Sequence, residues 1–195
     1  MKTTQSTLIT TAVFSDDSCK RYLLKKEWDS SLPTLTIVML FPSSASEHQL
    51  DSTTLLVTNN CARLGYGSVS IVNLFATLND FSLSQVENED IENLNVIKAE
   101  AKNCNCLVYA PGVGKSKNPA FILRAAQVLE VLKPYERKLK CIGNESGTAR
   151  LMHPLTPAVR SWHLYDCSIE EALNAEPKQS AKKKRSVGRP KKTGE

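Results

Sequence analysis

No hydrophobic run in the sequence is long enough to cross a membrane. Its 195 residues include no stretch that approaches about 18 consecutive apolar residues. The N-terminus carries Lys2 and then a threonine-rich stretch, and it lacks the apolar segment of about 7–15 residues found in secretory signal peptides. The sequence therefore predicts a cytoplasmic protein with no membrane partner, and its apolar content of 41% is enough to form a core.

The sequence also lacks the two closely spaced pairs of cysteine or histidine ligands that are typical of a structural zinc site. Among the cysteines only Cys104 and Cys106 stand close together, and no second pair follows at the usual spacing. Cysteines of a chain that is not exported are expected to stay reduced. We therefore expect thiols with small buried or half-buried side chains, no metal and no cofactor. The six are Cys19, Cys61, Cys104, Cys106, Cys141 and Cys167.

A complete phosphate-binding loop is missing as well. Residues 112–116 read Gly-Val-Gly-Lys-Ser and lie between a predicted strand and a predicted helix. The full motif has glycine five residues before Gly114, where this chain has Tyr109. The segment is interpreted as a glycine-rich turn that lets the backbone approach a ligand closely. An ATPase that depends on Lys115 remains a third class of function.

Strand and helix patterns alternate about four times along the first 150 residues. This alternation predicts an α/β fold with three layers and a mostly parallel central sheet. The strands are predicted from short apolar runs rich in β-branched residues. They are Lys20–Trp28 as an early edge strand, Leu35–Leu40, Ser68–Leu74, Cys106–Ala110 and, as the last core strand, Leu139–Ile142.

Helices are predicted where capping residues precede apolar residues at helical spacing. The first helix is predicted from Asp51 or Ser52 as its cap, from the apolar residues Leu55, Leu56 and Ala62, and from Gly65 as its end. The second is predicted from the apolar residues Ile91, Leu94, Ile97 and Ala101. The third is predicted to start at Asn118 and Pro119 and to run to Lys133, where Pro134 ends it.

The predicted sheet places the ligand site at the loops that follow its strands. In open α/β sheets, ligands bind in the crevice outside the carboxyl ends of the strands. The loops to consider begin at Phe41, Asn73, Pro111 and Gly143. Residues 1–175 form this predicted domain.

The basic charge of the chain is confined to its C-terminus. Residues 178–195 hold eight basic residues and one acid, whereas the first 177 residues hold 17 basic and 19 acidic residues. A nucleic-acid partner is therefore indicated by the tail and not by the domain. The tail begins at Glu176 and is rich in Lys, Arg, Ser, Gly and Pro. It is predicted to be disordered when free because it buries too little apolar surface to offset its ordering entropy.

The tail resembles an AT-hook around Gly188-Arg189-Pro190. In that motif an extended segment lies in the narrow minor groove of A·T-rich DNA, where arginine suits the negative potential. The usual hook has arginine directly before the glycine; here that position is Val187, which is expected to weaken binding. A solubilising tail with generic phosphate affinity is the alternative. The candidate DNA-binding residues are Lys182, Lys183, Lys184, Arg185, Gly188, Arg189, Pro190, Lys191 and Lys192.

The strand-end motifs of the domain resemble a bacterial family, domain of unknown function 1643, often found on mobile elements and phages. The resemblance covers about Cys19 to Trp162. Its motifs are the Pro-Ser-Ser-Ala loop at 42–45, Gly65-Tyr66-Gly67, the strand Val-Asn-Leu-Phe-Ala-Thr at 72–77, and His153-Pro154-Leu155.

The same order of motifs resembles the uracil-DNA glycosylase superfamily more remotely. That resemblance implies that Asn73 matches the residue that reads the flipped base and that His153 matches the histidine that stabilises the leaving base. The implied fold is uracil-DNA-glycosylase-like. Asn73 as a turn former and His153 as an ordinary loop histidine are the structural alternatives. The candidate pocket residues are Phe41, Pro42, Ser43, Ser44, Asn73, Gly112 and His153.

Phe41 departs from the chemistry that this resemblance implies. A glycosylase needs a carboxylate or amide there to place water or stabilise the sugar cation, and a phenyl ring does neither. Glu47, His48 and Asp51 lie downstream as alternative sources of such a group, although nothing in their spacing requires that role. We therefore assign no catalytic residue and expect a non-catalytic DNA-binding protein.

Two further expectations follow from the resemblance. Acidic inhibitor proteins that mimic DNA bind such folds, so an inhibitor of this kind is a second expected partner. An active DNA base glycosylase or nucleotide-processing hydrolase of altered specificity, using Asn73 and His153, is the alternative function. The tail also allows association with the nucleoid.

Overall fold

A computed structural model describes residues 1–43, 46, 48–78, 90–112, 118–148 and 150–174. The strands are β1 (Ile9–Phe14), β2 (Arg21–Glu27), β3 (Thr34–Met39), β4 (Ser68–Asn73), β5 (Cys106–Tyr109), β6 (Leu139–Gly143) and β7 (His163–Asp166). The α-helices are α1 (Ser52–Arg63), α2 (Ile91–Asn103), α3 (Pro119–Leu132) and α4 (Ile169–Leu173). Two 3₁₀ helices cover Lys133–Lys138 and Pro157–Val159.

One seven-stranded sheet organises the domain, in the order β1-β2-β4-β3-β5-β6-β7. The four neighbours β4, β3, β5 and β6 are parallel, whereas β1–β2, β2–β4 and β6–β7 pair antiparallel. The α/β class is therefore confirmed. The mostly parallel sheet is corrected to a mixed one, because antiparallel strands flank its parallel centre on both sides.

Both edges of the sheet differ from the prediction. The segment predicted as an edge strand is β2, which lies second in the sheet and is almost entirely buried, because β1 covers its free side. Leu139–Ile142 lies in β6, the last buried strand as predicted, but the half-buried β7 follows it and forms the edge of the sheet. The sequence signal for β1 and β7 was weak because these edge strands bury only part of their surface.

The helices cover the sheet on two faces, which makes three layers. Val57 and Cys61 of α1 pack in one core together with Trp162. Ile97 of α2 and Val128 of α3 pack in a second core on the opposite face. Among the residues that the structure describes, no helix combines the length and the apolar character required to span a bilayer.

The first helix has the predicted ends but a different inner face. Asp51 caps it by accepting a 2.7 Å hydrogen bond from the Thr54 amide, and Gly65 follows its C-cap with φ of +85°. Leu55 is 46% exposed and Ala62 is also exposed, so these predicted core positions are wrong. The buried side chains are mostly polar: Thr53, Thr54, Val57, Asn60 and Cys61.

The other two predicted helices are confirmed with small differences. Asn118 caps α3 through hydrogen bonds from the amides of Ala120 and Phe121, and Pro119 occupies its first turn. At Pro134 the chain changes to a 3₁₀ helix instead of leaving the helical path. In α2 the first apolar residue, Ile91, is exposed, and Asn93 is buried in its place.

Candidate functional site

The carboxyl ends of the parallel strands meet at one edge of the sheet. From β3 the chain first winds to β4 on one side and later to β5 on the other side of β3. Such a reversal is where ligands bind in α/β sheets, because the flanking loops separate there. The loops after β3, β4, β5 and β6 therefore define the candidate site.

The register between β3 and β4 places two phenylalanines side by side at this edge. Met39 is the partner of Asn73, and the ladder continues through Leu74 N donating to Met39 O and Phe75 N donating to Leu40 O. Two residues beyond the Met39–Asn73 pair, the rings of Phe41 and Phe75 stack with centroids 5.2 Å apart and an interplanar angle of 26°. Both rings are half-buried, so this edge presents an aromatic pair.

Asn73 ends β4 with its side chain closed to solvent. The residue is 1% exposed, and its Oδ1 accepts no hydrogen bond within the described ranges. This oxygen therefore does not close a turn. Its main-chain carbonyl accepts a 3.0 Å hydrogen bond from Nδ2 of Asn93.

Gly112 and His153 are brought together across the neighbouring loops. Gly112 has φ of +77°, and a Cβ placed on it would lie 3.1 Å from the Cβ of His153. His153 Nδ1 accepts a 3.2 Å hydrogen bond from the Leu155 amide, which leaves the proton of the neutral ring on Nε2. Burial lowers the pKa of His153 below its usual value of 6.5. The imidazole is thus a neutral N–H donor near neutral pH.

The described residues of the β3–α1 loop that the sequence singled out are Pro42, Ser43, His48 and Asp51. Pro42 is buried, and Ser43 Oγ lies 3.4 Å from Thr54 Oγ1 of α1. Asp51 is engaged as the helix cap, and His48 is exposed. Ser44 and Glu47 lie outside the described residues, as do Lys115 and the whole basic tail.

Two site residues were missed by the sequence analysis. Arg124 Nε donates to Leu74 O at 2.7 Å, and Asn93 Nδ2 donates to the same oxygen at 3.2 Å. Both side chains are buried. The available signal was a polar residue in an apolar helical stripe: Asn93 precedes Ile97 by one turn, and Arg124 precedes Val128 by one turn.

A pair of thiols lies at the base of the loop that carries His153. All six cysteines are free thiols. The hydrogen bond from the Cys167 side chain, with Arg150 nearby, lowers the pKa of Cys141 to about 6. The same interaction and burial raise the pKa of Cys167. Cys141 is therefore the thiol with the greater thiolate character.

A family model matches residues 21–155 of the chain, and its description is "Protein of unknown function (DUF1643)". The chain belongs to this family. The DUF1643 match begins at Arg21, the first residue of β2, and ends at Leu155, so it contains all of the parallel strands and the His153 loop. β1, β7 and α4 lie outside it. No curated protein and no solved structure matches the chain.

Proposed function

We propose that this DUF1643 protein binds DNA through its basic tail and that its domain is a non-catalytic relative of the uracil-DNA glycosylases. The observation that carries the proposal is Phe41, stacked on Phe75 where a glycosylase needs an acid or amide. A phenyl ring supplies neither a base for water nor a charge for the sugar cation.

The burial of Asn73 supports the same conclusion. A residue that reads a flipped base must present its amide to the edge of that base. The Asn73 side chain is closed to solvent, so a base cannot reach it without movement of the surrounding residues. His153, the other residue that matches the superfamily, retains a suitable donor in its Nε2–H.

The tail supplies the DNA contact in this proposal. It combines eight basic residues and one acid with the AT-hook-like centre Gly188-Arg189-Pro190, whereas the rest of the chain has more acidic than basic residues. Phosphate neutralisation by lysine and arginine releases counterions, so the affinity is expected to fall steeply with salt. The proposed location is the cytoplasm, in association with the nucleoid.

DNA binding by the full chain and by a chain ending at Glu176 tests this function. Fluorescence anisotropy is measured with single- and double-stranded probes, with and without uracil and A·T tracts, at two salt concentrations. Base release is assayed in the same samples. We expect truncation to abolish binding and no sample to release a base. A truncated chain that still prefers uracil-containing DNA would contradict the non-catalytic assignment.

An acidic glycosylase-inhibitor protein is the proposed second partner. Such a DNA mimic would cover the edge of the sheet where the carboxyl ends of the parallel strands meet. Isothermal calorimetry with a uracil-glycosylase inhibitor is expected to give saturable binding that survives truncation at Glu176. Absence of heat at micromolar concentrations of both proteins would remove this partner from the proposal.

The alternative function is an active base glycosylase or nucleotide-processing hydrolase, and the neutral Nε2–H donor of His153 favours it. Phe41→Asn places an amide at position 41, where the glycosylase resemblance implies an acid or amide. Base release by F41N but not by the natural chain supports a disabled glycosylase. Base release by the natural chain supports the alternative.

A further inference from the structure

Arg124 is a buried arginine that forms no ion pair with the residues that the structure describes. The residue is 3% exposed and reaches from α3 to the carbonyl of Leu74 at the end of β4. Its Nη1 donates to Gln127 Oε1 at 3.2 Å, whereas Nη2 is buried and has no hydrogen-bond partner within the described part of the chain. Burial lowers the pKa of this guanidinium.

The described acid whose charge acts on Arg124 already has other partners. Asp90 is the acid whose charge favours the ionised form of Arg124. Its Oδ2 pairs with Lys20 Nζ at 3.3 Å, and its Oδ1 caps α2 at the Asn93 amide. Glu92, on the same helix, accepts a hydrogen bond from Tyr22. Among the residues that the structure describes, no carboxylate forms an ion pair with Arg124.

A purely structural role does not require this charge. Leu74 O already accepts a hydrogen bond from Asn93, and a neutral donor would satisfy its second lone pair at a lower desolvation cost. Arginine is favoured where a planar fork of N–H groups meets a phosphate or carboxylate. The N-termini of α2 and α3 lie at the same edge and add positive potential there.

We propose that Arg124 is the anchor of a subsite for a phosphate group at the carboxyl edge of β4, with Nη2–H as its free donor. The site lies beside Phe75, which follows Leu74, so a phosphate held there would place an attached base or sugar near the aromatic pair. Nη2 is shielded from water, so an anion reaches it only when the surrounding side chains move, and the resulting interaction is poorly screened. This subsite is independent of the tail and of any base release.

Thermal unfolding of the full chain tests the subsite. Inorganic phosphate is titrated against sodium chloride at matched ionic strength. We expect Tm to rise with phosphate and not with chloride, because a ligand that binds the native state stabilises it. Arg124→Met is expected to weaken the apparent phosphate affinity at least tenfold. Arg137→Met, which removes one exposed arginine from the 3₁₀ helix, is the control and should leave the affinity unchanged.

Further measurements keep the inference falsifiable if R124M does not fold. Arg124→Lys keeps the charge and loses the fork; we expect it to fold and to bind phosphate at least fivefold more weakly, with ³¹P NMR line broadening as the readout. A deoxynucleoside monophosphate and a short single strand, added in parallel, distinguish the sources of the phosphate group. Equal responses to phosphate and chloride, or full phosphate binding by R124M or R124K, would overturn the proposal. The tail is identical in all variants, so a failure here leaves the tail-dependent DNA binding intact.

Discussion

At the carboxyl edge of the sheet, the position of His153 depends on the small size of Gly112 as well as on side-chain chemistry. Gly112 allows the turn after β5 to adopt a positive φ and lets His153 lie directly against it. The sequence identified both residues as candidates, but not their contact, because they belong to different loops that only the sheet brings together.

We expect Gly112→Ala to lower the free energy of unfolding by about 2 kcal/mol, because alanine is strained at positive φ and its Cβ would crowd His153. Urea unfolding measures the change. Gly65→Ala is the matched control: φ is also positive there, but nothing lies within 4 Å of the added Cβ. A loss in G112A no larger than in G65A would contradict the role of the His153 contact.

His153 is expected to make stability depend on pH. Its pKa is below 6.5 in the folded state, so below about 6.5 the unfolded chain binds more protons than the folded one and stability falls. His153→Asn retains an acceptor for the Leu155 amide and removes the titration. As the pH is lowered from 8 to 5, the free energy of unfolding should therefore fall less steeply for H153N than for the natural chain. H48N, at an exposed histidine, controls for the substitution, and parallel curves for H153N and the natural chain would exclude this role.

At the scale of elements, polar side chains connect the helices to the loops. The buried face of α1 includes Asn60, whose Nδ2 donates to Leu56 O and Arg160 O and whose Oδ1 accepts from Trp162 N and Arg63. Asn60 thereby fixes the segment between the His153 loop and β7. The apolar pattern did not predict this face, because the polar Thr53, Thr54 and Asn60 share it with the apolar Val57 and Cys61.

Asn60→Ala is expected to cost about 3 kcal/mol, because it leaves the Arg160 carbonyl and the Trp162 amide without this partner. Chemical unfolding measures the loss. Asn59→Ala removes the exposed neighbouring asparagine from the same helix and should change stability by less than about 0.5 kcal/mol. Equal effects of the two substitutions would show that the Asn60 contacts do not stabilise the fold.

For the whole molecule, charge is divided between a domain with a slight excess of acids and a strongly basic tail. Removing one positive charge from the tail should affect DNA binding differently according to whether that residue contacts the groove or a phosphate. Groove contacts carry sequence preference, whereas phosphate contacts act uniformly across sequences. Arg189, between Gly188 and Pro190, is the proposed groove contact.

Arg189→Ala is expected to weaken binding to A·T-rich duplexes by about 1–3 kcal/mol more than binding to G·C-rich duplexes. Lys178→Ala removes the same charge outside the AT-hook-like segment. It should weaken both duplexes equally and reduce the salt slope by about one. Anisotropy titrations at several salt concentrations measure both variants. Indistinguishable behaviour of R189A and K178A would favour a generic basic tail over the AT-hook.

Local patterns were sufficient to predict much of the fold. The caps Asp51 and Asn118, the helix end at Gly65 and the strands β3 to β6 were predicted because each depends on hydrogen bonds or periodicity within a few residues. The site was predicted only as a set of loops, because the spacing along the chain does not specify which side chains meet.

By itself, the sequence determined the α/β class, the caps of α1 and α3, the end of α1 and the separation of charge. Only the tertiary structure decided that Phe41 stacks on Phe75, that Arg124 and Asn93 converge on Leu74, and that β1 and β7 form the edges. These features depend on strand register and on packing between residues far apart in the chain. Propensity and periodicity describe only neighbours along the chain, so they do not contain this information.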